Sequence, residues 1–208
     1  YGLNYTSQNE NLPSNLTELV RDKSVSMPEL VFSRTTRKPF NAFVGDSRDW
    51  GLQVRGSATS SLLGGISVTR VDGELQEDSR KIEWLGGVES QFFWKAESIV
   101  DWTEMLKSDA ALATTFRVER HPEGRIDQRM DCGYPCSGKM DMTAFFRAVP
   151  KGKWVRAGIP LSCFASAGVD FNRITSPLVL ISSEPFTIII KDLRVTRDLP
   201  ESALLACD

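Results

Sequence analysis

From Leu30 to Arg197, apolar side chains recur with a period of two and are interrupted every few residues by Gly, Asp, Ser or Pro. That rhythm predicts short strands separated by turns, because alternate side chains of a strand point to opposite faces. It places strands at Leu30–Arg34, Phe40–Val44, Trp50–Arg55, Gly65–Val71 and Lys81–Trp84. Further strands are expected at Val88–Ala96, Ala111–His121, Arg125–Asp131, Met142–Ala148 and Val155–Leu161. The most apolar stretch comes last: Leu178-Val179-Leu180-Ile181, a break at Ser182-Ser183-Glu184-Pro185, then Phe186-Thr187-Ile188-Ile189-Ile190. Two strands joined by a hairpin turn at Glu184-Pro185 are predicted there. Phe186, Ile188 and Ile190 share one parity, whereas Leu193 and Val195 share the other. This predicts a β-bulge at Lys191-Asp192, or else a strand covered on both faces. Asp101 and Glu104 stand at capping-box spacing before a short helix. No helical run is long enough for a βαβ unit, so the expected fold is all-β: an antiparallel β-sandwich of jelly-roll type with one or two short helices.

Parity also sorts the faces. In Val88–Ala96, Val88, Phe92, Trp94 and Ala96 oppose Glu89, Gln91, Phe93 and Lys95. In Ala111–His121, Leu112, Thr114, Phe116 and Val118 oppose Arg117, Glu119 and His121. In Arg125–Asp131, Ile126 and Met130 oppose Arg125, Asp127, Arg129 and Asp131. If these strands are neighbours, one sheet has an apolar inner face and a charged outer face with an aromatic set in it. Such a face suits a ligand, and equally suits an ordinary solvated sheet surface.

Residues 1–29 are polar, rich in Asn and Ser, and lack a strand period, which reads as a linker or arm before a domain at 30–208. Asn15-Leu-Thr-Glu18 could form one capped helical turn, and Asn4-Tyr-Thr6 and Asn15-Leu-Thr17 are glycosylation sequons. The Tyr at position 1, with no signal-like segment after it, suggests an excised piece whose export signal would lie upstream.

The net charge of −2, from 25 Lys+Arg against 27 Asp+Glu over 208 residues, provides no field to gather nucleic acid or anionic lipid. No apolar run approaches the roughly 20 residues of a membrane span. Among the four cysteines, Cys132-Gly-Tyr-Pro-Cys136 suits a local disulfide, leaving Cys163 and Cys207 as a second candidate pair that would staple the tail to the body. Disulfides imply an oxidising compartment. A zinc site is the weaker reading, since the one histidine, His121, belongs to no recurrent ligand spacing. The bland alternative makes Cys163, in Leu161-Ser-Cys-Phe164, a small core residue.

Several segments resemble one family. Tyr1-Gly-Leu-Asn-Tyr5 is similar to the signature that closes the α/β domain of glycoside hydrolase family 3 enzymes. Ile82-Glu-Trp84, Cys132-Gly-Tyr-Pro-Cys136, Trp154-Val-Arg-Ala-Gly-Ile-Pro-Leu161-Ser-Cys-Phe164, Pro177-Leu-Val-Leu180 and Asp192-Leu-Arg-Val195 extend the likeness over nearly the whole chain. They resemble the extra C-terminal domain of bacterial family 3 exo-1,3/1,4-β-glucanases and β-glucosidases. The resemblance implies a galactose-binding-like jelly roll in an exported bacterial enzyme (periplasmic, outer-membrane-associated or extracellular). Its partners would be the catalytic domains of its own parent chain and β-glucan. It also implies that the catalytic residues lie in preceding domains, and none maps onto this sequence. The chain's own carboxylates, such as Glu119, Asp127 and Asp131, are interleaved with arginines, and no nucleophile elbow accompanies His121.

Sugar binding needs a flat aromatic to stack on a pyranose and polar groups to hold hydroxyls. Trp154, whose parity opposes Val155 and Ala157, Trp102 beside the short helix, and Phe93 among Glu89, Gln91, Lys95, Arg117 and Arg129 are the aromatic candidates, with Arg117 and Gln91 as polar partners. Trp50, in phase with Leu52 and Val54, and Trp94 are expected in the core. The commoner fate of such aromatics is packing between domains or under a loop. Modules of this resemblance often hold a structural calcium near a sheet edge, for which Asp46, Asp49 and Asp192 are candidate ligands; turn chemistry explains the same residues. Two roles follow: an accessory domain that binds β-glucan, or one that docks on and stabilises catalytic domains without binding sugar.

Overall fold

A computed structural model describes residues 29–207. The expected arm, its sequons, its helical turn and the Tyr1–Tyr5 signature therefore lie outside the described residues, apart from Glu29, which opens the first strand.

Fourteen strands form two antiparallel sheets among the described residues. The six-stranded sheet runs β11 (Ser137–Asp141), β10 (Ile126–Asp131), β13 (Ser176–Ser182), β8 (Ser90–Ala96), β3 (Phe40–Asp46) and β4 (Asp49–Gln53). The eight-stranded sheet runs β12 (Trp154–Pro160), β9 (Ala111–Arg120), β14 (Phe186–Thr196), β7 (Ser79–Trp84), β6 (Ile66–Val71) and β5 (Ala58–Ser60). Its remaining strands are β1 (Glu29–Ser33), which also pairs with β14, and β2 (Thr35–Thr36), which pairs with β1. Side chains of even parity from β8 (Phe92, Trp94) and β13 (Leu178, Leu180) meet Ile188, Ile190, Phe116 and Ile82 from the other sheet in one core. Trp84 stacks on Phe186 at 5.5 Å, and its indole N–H donates to the Ser90 carbonyl at 3.0 Å, so this large side chain is buried without an unmet donor.

The phase change in the last strand is real. The register of β14 against β9 shifts between Ile190 and Asp192, where partnership on the other edge passes from β7 to β1. The Glu184-Pro185 turn is not a hairpin. It carries the chain from β13 in one sheet to β14 in the other. Each strand is central and buried on both faces, so apolarity without alternation signalled two facing strands rather than a pair.

Other expectations need correction. Met142–Ala148 is not a strand: Thr143–Ala148 forms helix α2, after α1 at Thr103–Lys107. Asp141 Oδ1 accepts from Thr143 N at 2.9 Å at its start, and Phe146 N donates to Met142 O, the spacing of a turn that buries Met142 and Phe146 together. The strand expected at Val155–Leu161 ends at Pro160, where helix α3 (Leu161–Ser166) begins. At α1 there is no capping box. Asp101 Oδ1 accepts from Thr103 N at 2.9 Å, but Glu104 pairs with Lys107. Disulfides join Cys132 to Cys136, closing the β10–β11 tip, and Cys163 of α3 to Cys207, fixing the tail against the body. Cys163 is also buried, so the core and disulfide readings coincide in one residue.

Candidate functional site

The outward face of the six-stranded sheet is built by the residues of odd parity. Strand register sets them in rows. One row reads Lys139, Arg129, Val179, Phe93, Phe43 and Gln53 across β11, β10, β13, β8, β3 and β4. The next reads Asp141, Asp127, Ile181, Gln91 and Gly45. Neighbouring strands lie about 4.8 Å apart, so a row spans about 24 Å. Toward its β4 end Phe43 stacks on Phe93, with ring centroids 5.2 Å apart and planes 16° from parallel. Phe93 is buried and Phe43 half-buried, so Phe43 presents the accessible ring of the pair.

One end of this face is walled by the β3–β4 hairpin. Between Val44↔Leu52 and Asp46↔Asp49, Trp50 and Gly51 together oppose Gly45, which is a β-bulge. The bulge breaks the parity that put Trp50 with Leu52, and Trp50 is 42% exposed instead of buried in the core. Its backbone crosses directly over Gly45: a Cβ there would lie 2.4 Å from the Trp50 carbonyl oxygen. Gln91 Nε2 donates to the same oxygen at 3.0 Å and pins the crossing. Asp46, fully buried in the turn, accepts from Arg48 N at 2.9 Å and from Leu63 N at 2.7 Å, tying in the loop that exposes Leu62 and Leu63. Burial pushes the Asp46 carboxyl upward, but the amides of Leu63 and Arg48, with Ser61 and Asp49, more than offset it and hold the group below the usual carboxylate range.

The sequence candidates are thereby divided. Phe93 and Gln91 belong to this face, and Trp50, expected in the core, joins them. Arg117 does not, because β9 lies in the other sheet and the three strands proposed as neighbours do not form one surface. Arg117 sits on the outer face of the eight-stranded sheet opposite Trp154. The Trp154 ring is half-buried, with Arg117 Cζ 5.1 Å and Lys191 Nζ 4.8 Å from its centroid, so two cations already engage it. Trp102 is not on a surface: it is 1% exposed and packs 6.3 Å from Phe40. A short helix placed it in the sequence reading, but its ring turns into the core.

Asp46, Asp49 and Asp192 do not converge. Asp192 lies on the other sheet and is held by Arg194, while Asp49 Oδ1 accepts from Gly51 N at 2.9 Å. Among the described residues no group of three or more His, Cys, Asp or Glu could hold a metal ion. The carboxylates weighed for hydrolysis are ion-paired: Glu119 with Arg117, Asp127 with Arg125 and Lys139, and Asp131 with Arg129. His121 Nε2 lies 2.8 Å from the Val149 carbonyl oxygen. No helix among the described residues is long and apolar enough to cross a membrane.

Residues 38–195 match the family model Exop_C, described as galactose-binding domain-like. The chain belongs to this family. Among solved structures, it is similar to the extra C-terminal domain (X) of the exo-1,3/1,4-β-glucanase ExoP from a Pseudoalteromonas species, with TM-score 0.73, 18% identity, and coverage of 86% of this chain and 99% of that one. Against the longer ExoP exo-1,3/1,4-β-glucanase structure the TM-score is 0.72 at 18% identity, covering 87% of this chain and 22% of that one. The family 11 carbohydrate-binding module of Clostridium thermocellum, solved with a β-1,3-1,4-mixed-linked tetrasaccharide, gives TM-score 0.53 at 9% identity, covering 81% of this chain and 95% of that one. No match was found among curated proteins. An Exop_C sandwich of this kind has the fold of carbohydrate-binding modules, with its aromatic surface divided between two sheet faces.

Proposed function

We propose that this chain is a non-catalytic accessory domain of an exo-acting β-glucanase of glycoside hydrolase family 3, and that it binds mixed 1,3/1,4-linked β-glucan on the outer face of its six-stranded sheet. The observation that carries this reading is the Phe43–Phe93 stack set in a polar row and bordered by the exposed Trp50. Flat rings supply apolar contact to pyranose faces, Gln53 and the Arg129–Asp131 pair stand in or beside the same row as polar partners for hydroxyls, and Gln91 contributes by holding the Trp50 backbone. Binding next to a catalytic domain raises the local substrate concentration without new chemistry. Two disulfides suit an exported protein.

The test is calorimetric titration of the chain with mixed-linkage tetrasaccharide, laminarin and lichenan, alongside an assay for released sugar. Binding should be detected with no cleavage. Trp50→Ala should weaken it about tenfold, as truncating an aromatic anchor costs more than about 1 kcal/mol, whereas Trp154→Ala should leave it unchanged. Absence of binding to every glucan would transfer the role to docking on and stabilising the catalytic domains.

A further inference from the structure

Among the described residues one buried charge makes no ion pair with a carboxylate. Arg80 on β7 pairs with Ile190 of β14 and with Arg70 of β6. Ile190 faces the core, and Arg80 follows it inward: the residue is only 7% exposed, with its guanidinium 5.3 Å from the centroid of the Phe32 ring. A guanidinium carries five N–H donors. Among the described residues Arg80 makes one side-chain hydrogen bond, from Nη1 to the Ser79 carbonyl at 3.2 Å, and no ion pair. Arg70 reaches Glu77 only at 3.9 Å. Burial, with the repulsion of Arg70 added and only partly offset by the attraction of Glu77, lowers the Arg80 pKa to about 10, so the group still carries its charge at neutral pH.

Such a charge is costly to bury unless an anion and further acceptors meet it. Both arginines line a cavity of about 250 Å³ at the open edge between the sheets, together with Thr35, Thr36, Asn41 and Val54. Its size is below the usual range for drug-sized ligands, which suits one sugar ring rather than a chain. The lining is mixed. Two guanidinium groups fit a planar carboxylate, and Val54 with Ala42 supplies an apolar wall. The Thr35 and Thr36 hydroxyls and the Asn41 amide complete the lining, with Thr36 Oγ1 accepting from Trp94 Nε1 at 3.3 Å and Asn41 Nδ2 donating to Glu97 Oε1 at 2.9 Å, which leaves the Thr36 O–H and Asn41 Oδ1 to meet a ligand. A bare inorganic anion would leave the Thr35 hydroxyl, the Asn41 Oδ1 acceptor and the apolar part of this lining unused.

We propose that this cavity binds a carboxylate-bearing monosaccharide, a uronate, with its carboxylate on Arg80 and Arg70 and its hydroxyls on Thr35, Thr36 and Asn41. The site shares β3 with the glucan face through Asn41 but includes none of Phe43, Phe93, Gln91 or Trp50.

The experiment titrates the chain calorimetrically with glucuronate, glucose and sodium sulfate at low and high salt. Glucuronate should bind at least tenfold more tightly than glucose or sulfate, and should weaken as salt rises. Arg80→Met removes the buried charge, but that variant can fail for reasons of folding. Arg70→Gln, at a side chain 44% exposed, keeps the test decisive and should lower glucuronate affinity about five- to tenfold with an unchanged melting temperature. Equal binding of glucose and glucuronate, sulfate binding as tightly as glucuronate, or no effect of Arg70→Gln would each overturn the assignment. Trp50→Ala should leave glucuronate binding intact, which separates this outcome from failure of the glucan face.

Discussion

Gly45→Ala is the substitution that reports most sharply on how the aromatic wall is held. The added methyl would sit 2.4 Å from the Trp50 carbonyl oxygen and 2.5 Å from its Cα and carbonyl carbon. These are backbone atoms, so relief requires moving the hairpin rather than rotating a side chain. Overpacking of this kind costs about 1–3 kcal/mol. Displacing the Trp50 carbonyl also breaks its bond to Gln91, worth about 1 kcal/mol. The sum is about 2–4 kcal/mol, which at about 2–4 °C per kcal/mol for a chain of this length lowers the melting temperature by about 4–16 °C. Circular dichroism melts measure it, with Gly51→Ala as the control. A Cβ at Gly51 meets nothing closer than Asp49 Oδ1 at 4.0 Å, so that variant should stay within about 0.5 kcal/mol of the parent. Gly45→Ala should in addition lose glucan affinity, because Trp50 moves with its backbone. A Gly45→Ala protein that melts with the parent would refute the close crossing and the wall built on it.

Two further outcomes follow from the same structure. Asp46→Asn replaces a buried carboxylate that accepts from Arg48 N and Leu63 N, and should cost about 3 kcal/mol at pH 7 in urea unfolding. Because the folded carboxyl titrates below its unfolded value near 3.9, its contribution is complete above about pH 4 and is lost as pH falls through the depressed native value. Asp78, lowered through its bonds to the amides of Leu75, Glu74 and Gly73 and to Ser79 despite burial, acts in the same direction. The acid-induced loss of stability should therefore be shallower in Asp46→Asn. Replacing Cys163 and Cys207 by Ser opens a loop of sequence separation 44 and should remove about 4 kcal/mol in the chain-entropy account, read as a drop in urea midpoint with a somewhat steeper slope, since the unlinked unfolded chain is less compact.

Much of the fold was legible in the sequence because half-buried strands alternate. The bulge at Lys191-Asp192 was readable for that reason, as Leu193 and Val195 return to the core on the opposite parity from Ile190. Parity failed where a strand is covered on both faces. Val179 and Ile189 point away from the core yet are buried, so β13 and β14 looked like one hairpin when they belong to facing sheets. Parity also failed at Trp50, where two residues oppose one; Gly45 in the facing strand was the available signal, since a glycine in a strand often marks a close backbone approach. The assignment of Arg117 and Phe93 to one surface required strand order, which adjacency in sequence does not supply. Helix α2 was missed because Phe145 and Phe146 in a short apolar run read equally as strand, although Asp141 before Thr143 is a helix-start signal.

The most direct test of the central claim is the map of amide chemical-shift changes on titration with mixed-linkage β-glucan tetrasaccharide. Shifts confined to the outward residues of β3, β4, β8 and β13, with Phe43, Trp50 and Gln91 foremost, are the predicted result. Shifts clustered at Trp154 and Arg117, or no shifts at saturating ligand, would contradict it.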